Sequence, residues 1–310
     1  MRITVLGGGG FIGSTIIDRL LLDGHHIRVF ERPRIGSYRA FSANEQVEWL
    51  NGDFMSQHDI REAVRGADAV MHLVSTTLPK SSNDDPIFDV QSNLVASIQL
   101  LRIMIEEHVG RIIFISSGGT VYGRPQYLPM DERHPTEPQV SYGITKLAIE
   151  KYISMFHSLH GLKPVILRVA NPFGERQRVE TAQGAVAVFL DRVLRGQAIE
   201  VWGDGSVERD YIHVSDVAEA FTSALTYGGL EQVFNVATGR GTSLNELLRI
   251  IESVTGRSPK VVYKPARAFD VPVSILDNRR AYQELGWTPL IGLNEGISRT
   301  ARWIQGQLNG

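Results

Sequence analysis

Residues 2–22, RITVLGGGGFIGSTIIDRLLL, decide how the rest of the chain can be arranged. Arg2 to Leu6 is a short apolar run of the kind buried in a parallel sheet, and from Ser14 to Leu22 the residues Ile16, Ile17, Leu20 and Leu21 recur at helical spacing. Between them stand Gly7, Gly8, Gly9 and Gly10, with Gly13 just beyond. Strand, glycine turn and helix in that order make a cradle for a pyrophosphate: glycines let the backbone turn tightly and keep the amides at the positive helix end unobstructed. The next apolar run, His26 to Phe30, ends at Glu31, about twenty residues beyond the glycines, where a carboxylate can accept hydrogen bonds from an adenosine ribose. Arg32 follows and could instead meet the 2′-phosphate of NADP; NAD is the expected cofactor because Glu31 would repel that phosphate.

Working outward, strands are expected at Val47–Leu50, Ala69–Val74, Arg111–Ser116 and Pro164–Val169, with helices at Ile60–Arg65, Ile87–His108 and around Tyr142. This alternation predicts an α/β fold, a Rossmann-type doubly wound parallel sheet over residues 1–170, with ligands gathered at the carboxyl ends of the strands. Those ends hold Glu31, Asp53, Val74, Ser117 and Asn171. Asp53 could reach the adenine amino group or simply close a turn. His72, alternating with apolar neighbours, is expected to be a core histidine. From Asn171 the pattern loosens into a smaller C-terminal α/β substrate lobe, residues 171–310, with helices at Ala185–Arg195, Ser215–Tyr227 and Ser243–Thr255 and two short helices at the end. Some of its segments are expected to return to the first domain.

With 310 residues, 43% of them hydrophobic, the chain can bury a full core. A net charge of −2 marks no nucleic-acid or anionic-membrane surface, so a phosphorylated ligand needs a local site. The chain has no cysteine, which excludes disulfides, thiolate metal sites and thiol nucleophiles. No stretch approaches the ~18 apolar residues of a membrane span, and a cytoplasmic location is expected.

Val140 to Leu147, VSYGITKL, carries the candidate chemistry. Tyr142 and Lys146 are four residues apart, one helical turn, and so share a face. A phenol titrates near ~10, but an ammonium or a nicotinamide cation beside it favours the phenolate, which could take a proton from an alcohol.

Together these residues resemble the extended short-chain dehydrogenase/reductase family, and within it the nucleotide-sugar epimerases and dehydratases, with the UDP-glucose and UDP-N-acetylglucosamine 4-epimerases nearest. The resemblance covers essentially the whole chain: Gly7, Gly10 and Gly13; Ser116 to Gly123; Tyr142 and Lys146; Arg168 to Gly174; Arg209 to Val214; Phe234 to Gly239; Arg267 and Asp270. It implies that Tyr142 and Lys146 are catalytic, with Ser117 or Thr120 relaying the proton. It implies further that Phe11, Ile12, Phe54, Leu73, Val74, Asn93, Ser116 and Val169 border the dinucleotide, with Lys146 also on the nicotinamide ribose. Substrate contacts would come from Lys80, Gly118, Asn171, Arg209, Arg267 and Asp270, and from the backbone of Val201 and Trp202 against the uracil. Relatives usually carry a serine or threonine where this chain has Gly118. Gly118 and Gly119 also replace the acid pair of the dehydratases and the glutamate of the decarboxylases, leaving hydride transfer without elimination. Ser274, small where plain-hexose epimerases carry tyrosine, implies room for an N-acetyl group. The resemblance therefore implies reversible 4-epimerisation of a UDP-hexose through a 4-keto sugar, in a homodimer joined by a four-helix bundle of Ile87–His108 and Gly143–His160. Alternatives are an NAD(P)H-dependent reductase of a nucleotide-linked 4-keto sugar and a non-catalytic NAD(P) sensor.

Overall fold

The computed structural model describes residues 1–79, 81–179, 184–266 and 271–309. Strand β1 (Arg2–Leu6) runs through the glycine turn into helix α1 (Phe11–Leu22), then β2 (His26–Glu31), β3 (Val47–Asn51), α2 (Gln57–Val64) and β4 (Ala69–His72). The turn is as tight as its glycines allow: a Cβ on Gly13 would lie 2.5 Å from the Gly7 carbonyl oxygen and 2.7 Å from Gly8 Cα.

After α3 (Ser81–Asp84), the expected helix Ile87–His108 is present as one continuous run, α4 (Pro86–Asp89), a π-helical turn at Val90–Val95 and α5 (Ala96–Glu106), with helical backbone at each junction. The π-helical turn has a local cause: the Asn93 amide donates back to the Asp89 carbonyl at 3.1 Å and carboxylate at 3.0 Å, competing with the backbone ladder. Strand β5 (Arg111–Ser117), helix α6 (Ser141–His160) and strand β6 (Lys163–Val169) follow.

The main sheet has seven strands, all parallel, in the order β3-β2-β1-β4-β5-β6 with a later strand at the β6 edge. Alternate residues feed opposite faces. Ile3, Val5, Met71 and Ile113 pack on one face with α1, whereas Leu6, Val70, Ile112 and Phe114 pack on the other with α2, α5 and α6. The strand order reverses between β1 and β4, which opens a crevice at the carboxyl edge.

Past Val169 come β7 (Asn171–Phe173), α7 (Ala185–Leu194), β8 (Ala198–Trp202), β9 (Glu208–His213) and α8 (Val214–Thr226). They continue into β10 (Val233–Val236), β11 (Gly241–Ser243), α9 (Leu244–Thr255), β12 (Lys260–Lys264) and β13 (Val273–Ser274). Helices α10 (Arg279–Leu285) and α11 (Leu293–Asn309) close the order; α11, at 17 residues, is longer than the short terminal helix expected. Strand β10 pairs with β6 as the seventh strand of the main sheet, and α8 lays Val217, Ala218 and Phe221 on the same face as α1. The remaining strands form β11-β9-β13 with β7 beside β9, and a separate β8–β12 pair, over a core of their own that includes Phe189, Leu190, Leu247 and Ile297. Among the described residues no helix is long and apolar enough to cross a membrane.

Candidate active site

At the carboxyl edge of the main sheet lies a cleft of about 1030 Å³, walled on one side by Phe11 and Ile12 at the start of α1 and by helix α6, and on the other by Asn171, Trp202, Arg209 and Ser274. Its two ends have distinct chemistry.

The glycine end is built for an anion. Helix α1 starts after Gly10 with no side-chain cap and no acidic residue in its first turn, so its positive end is unopposed where Phe11 and Ile12 meet the cleft. Glu31 is held across the turn: its Oε2 accepts from the Gly9 amide at 3.1 Å and its Oε1 from the Arg32 amide at 3.0 Å. The Arg32 side chain is exposed beside it. An open helix terminus with a carboxylate at the next strand end is the donor and acceptor set an adenine dinucleotide requires, so these residues fit NAD. Leu73 and Val169 continue that wall.

Several side chains expected here face elsewhere. Phe54 is buried with its ring 5.0 Å from that of His72, leaving only its backbone at the strand end. Asp53 Oδ1 accepts from the Met55 amide at 2.9 Å, closing the local turn. Ser116 does border the cleft, but its hydroxyl is taken up by Glu150, which also receives Arg168. Asn93 spends its amide on Asp89, Thr77 and the Thr76 backbone, bracing the segment after β4. Val74 is half-buried against the core beneath α2 and α5. His72 is a core histidine, as expected: its Nε2 meets Ser97 Oγ at 2.8 Å, and burial holds its pKa well below the ordinary value.

The middle of the cleft holds the tyrosine and lysine. Both come from α6, whose close approach to the loop after β5 depends on Gly143, where a Cβ would lie 2.8 Å from the Thr120 carbonyl oxygen. Lys146 Nζ donates to the Ile115 carbonyl at 3.0 Å and lies 4.8 Å from the centre of the Phe114 ring and 5.7 Å from that of Tyr142. Burial lowers the lysine to about 8, against the opposing pull of Asp89 and Glu150. Tyr142 departs from expectation. Its phenol is pushed up to about 12, because burial outweighs a hydrogen bond with Ser75, and the ammonium is not among the influences that set it. In the protein alone the phenol is therefore held protonated. Ser75, which no local sequence signal marks, is the residue the spacing argument missed.

Of the relay candidates, Ser117 and Thr120 both border the cleft. Thr120 Oγ1 is sealed from solvent with no partner among the described residues, whereas Ser117 is half-exposed at the end of β5. Gly118 does not border the cleft: a Cβ there would lie 2.3 Å from Leu276 Cδ1 and 3.2 Å from the Arg168 carbonyl oxygen, so this position looks into the core.

At the far end, Asn171 Nδ2 donates to the Asp210 carbonyl at 3.0 Å, and Arg209 Nη1 to the carbonyls of Glu208 at 2.8 Å and Val271 at 2.7 Å. Trp202 is partly exposed in the wall, and Ser274, paired with Arg209 across β13 and β9, borders the cleft although nearly buried. Val201 is in the second core, with only its backbone available to a ligand. Lys80, Arg267 and Asp270 lie outside the described residues.

A doubly wound sheet with an open glycine-turn helix and a tyrosine–lysine pair on one cleft defines a dinucleotide-binding protein of the short-chain dehydrogenase/reductase type. The chain belongs to the NAD dependent epimerase/dehydratase family, whose model matches residues 3–237. It is 35% identical over 310 residues to the UDP-glucose 4-epimerase of Mycolicibacterium smegmatis, covering 98% of this chain and 99% of that protein. The crystal structure of the UDP-glucose 4-epimerase of Thermotoga maritima with UDP-glucose superposes with a TM-score of 0.94 at 35% identity, over 99% of this chain and 100% of that one. The UDP-N-acetylglucosamine 4-epimerase of Methanobrevibacter ruminantium, in complex with UDP-N-acetylmuramic acid, gives a TM-score of 0.91 at 29% identity, over 99% and 98%.

Proposed function

We propose that the protein is a UDP-hexose 4-epimerase that uses NAD and passes through a 4-keto sugar. The observation that carries this reading is the cleft itself: the Tyr142 and Lys146 pair stands between an open pyrophosphate cradle and a wall with Asn171 and Arg209. Full-length similarity to two 4-epimerases supports the same reaction.

When bound, NAD supplies an acceptor for the hydride from the sugar C4 and a donor for its return. Ser117 passes the 4-hydroxyl proton to Tyr142, whose phenolate is favoured once a cationic ring stands beside it, and Lys146 balances the charge. Asn171 and Arg209 hold the diphosphate while the hexose, less firmly gripped, turns to present its other face. Returning the proton along the same path leaves the C4 epimer.

The small side chain of Ser274 in the sugar wall extends the proposed substrates to UDP-GlcNAc and UDP-GalNAc. Glu31 at the ribose position favours NAD over NADP. The exposed apolar residues Ile87, Phe88 and Val95, with Ile144, Met155 and Leu159 on α6, support a homodimer formed across these helices.

Incubation of the purified protein with UDP-glucose and with UDP-GlcNAc, no NAD added, should give UDP-galactose and UDP-GalNAc. Absence of both, with consumption of NADPH on a nucleotide-linked 4-keto sugar, would make it a reductase instead. Ser274→Tyr should abolish turnover of the N-acetylated pair and spare the plain pair. Ile144→Glu should halve the mass measured by light scattering if the dimer uses α6.

A further inference from the structure

Against the first turn of α6, outside the cleft lining, lies a carboxylate that the proposed chemistry does not use. Asp89 is fully buried and no lysine or arginine pairs with it among the described residues. Its Oδ2 accepts from Ser141 Oγ and from Thr145 Oγ1, each at 2.8 Å. These are the residues immediately before Tyr142 and immediately before Lys146 on α6. Its Oδ1 accepts from the Asn93 amide at 3.0 Å and from the Thr77 hydroxyl. The Asn93 nitrogen can only donate, so Oδ1 serves it as an acceptor. Thr77 belongs to the segment after β4 that walls the cleft. One buried charge therefore joins the first turn of α6 to that wall.

Burying a carboxylate with only neutral donors is costly, and four hydrogen bonds recover that cost incompletely. A fold that needed only a fastening here could use a neutral asparagine or serine. The charge itself has an effect on its surroundings: it lifts both the Lys146 ammonium and the Tyr142 phenol, opposing the burial that lowers the lysine. The other charged and titratable groups near the pair are accounted for. His72 on β4 is kept neutral by burial; Glu150 on α6 also raises the lysine, less than Asp89 does, and is itself paired with Arg168 and bonded by Ser116; Asp84 on α3 and Asp85 before α4 are exposed.

We propose that Asp89 is a positioning residue for the acid–base pair, fastening the first turn of α6 to the cleft wall and supplying the buried negative charge that keeps Lys146 an ammonium at working pH. The role rests on the reading of Tyr142 and Lys146 as that pair.

Asp89→Asn tests it, because the amide keeps the shape and can still bond the hydroxyls while the charge is gone. The first readout needs no substrate: the Lys146 Cε resonance in lysine-labelled protein, assigned with Lys146→Met. It is expected to titrate near pH 8 in the wild type. In Asp89→Asn the midpoint should fall by roughly half to one pH unit. In the second readout, the pH profile of kcat/KM, both limbs should slide toward acid, since Tyr142 and Lys146 each lose an upward influence. The Ser141→Ala, Thr145→Val double variant keeps the charge and loses the fastening; kcat should drop with both limbs unmoved and KM little changed. A Lys146 midpoint unmoved in Asp89→Asn would overturn the electrostatic role, and an unchanged kcat in the double variant would overturn the fastening. Should Asp89→Asn fail to fold, the double variant decides the inference. Absence of UDP-hexose turnover in the wild type, with the Lys146 midpoint still falling in Asp89→Asn, would count against the proposed function and leave Asp89 its electrostatic role.

Discussion

Two helices point their amino ends toward the same cleft, and they are finished in opposite ways. Helix α1 begins after Gly10 and α6 after Val140, and neither of these residues offers a side-chain cap. Among the described residues nothing takes its place at α1, so the first-turn amides are left for a ligand. At α6 a neighbouring segment closes the end: Asn83 Oδ1 accepts from the Ser141 amide at 2.9 Å and Ser82 Oγ from the Tyr142 amide at 3.0 Å. An uncapped terminus binds an anion, whereas a terminus capped from outside binds nothing and instead holds a side chain at a fixed angle. The difference separates the part of the cleft that grips from the part that reacts.

The largest effect is expected at the reacting helix. Tyr142→Phe should lower kcat by about 10²–10⁴-fold, the usual worth of a positioned acid–base group. Affinity for UDP-hexose should stay within about twofold, measured by calorimetry. Loss of affinity equal to the loss of rate would mean that the phenol binds and does not react.

At the gripping helix, Gly10→Asp would give α1 the cap it lacks. Gly10 has φ −78° and ψ 175°, extended backbone that an N-cap aspartate adopts, and a Cβ there meets only the Gly7 carbonyl oxygen at 3.3 Å. NAD affinity should fall by at least about tenfold because the new carboxylate occupies and repels the pyrophosphate position. Unfolding of the NAD-free protein should shift little or upward. A variant that keeps NAD at wild-type affinity would place the pyrophosphate elsewhere.

Lys146→Met sharpens the contrast between activity and stability. With its pKa lowered to about 8 from 10.5, the buried lysine costs stability wherever it is charged in the fold. Below pH 8 that cost is fully present; between pH 8 and 10.5 the native state sheds the proton first and the cost declines. The melting temperature of the NAD-free variant should therefore exceed that of the wild type most clearly at neutral pH, with the gain shrinking above pH 8, while turnover is lost.

How far each part of this could be read beforehand follows from how local its cause is. The strand, glycine turn and helix at residues 2–22 were legible because the reason for every glycine lies within a few residues of it, as Gly13 against Gly7 demonstrates. Tyr142 and Lys146 were legible from helical spacing. Gly118 was not: it is dictated by Leu276, far along the chain, and only the folded molecule brings them together. For Phe54 and Ser116 only the backbone position was legible, because a strand end fixes where the backbone arrives and not which way a side chain leaves: the Phe54 ring packs on His72 and the Ser116 hydroxyl meets Glu150. The π-helical turn in the helix after Pro86 is local in sequence, yet it depends on Asn93 finding Asp89 rather than solvent, a choice made by the packing around that carboxylate.

The smallest expected effect belongs to the cap itself. Ser82→Ala removes one acceptor from the first turn of α6, a change worth about 1 kcal/mol at a helix terminus. Asn83 and the Asp89 bonds to Ser141 and Thr145 remain, so the helix should stay in place and kcat should change by less than about threefold. Ser82→Ala combined with Asn83→Ala leaves both amides unanswered, and amide exchange at Ser141 and Tyr142 should then rise before any global loss of stability is seen. If exchange there stays at wild-type protection in the double variant, α6 is held by its packing alone. The two helix ends would then differ in what they bind but not in how they are secured.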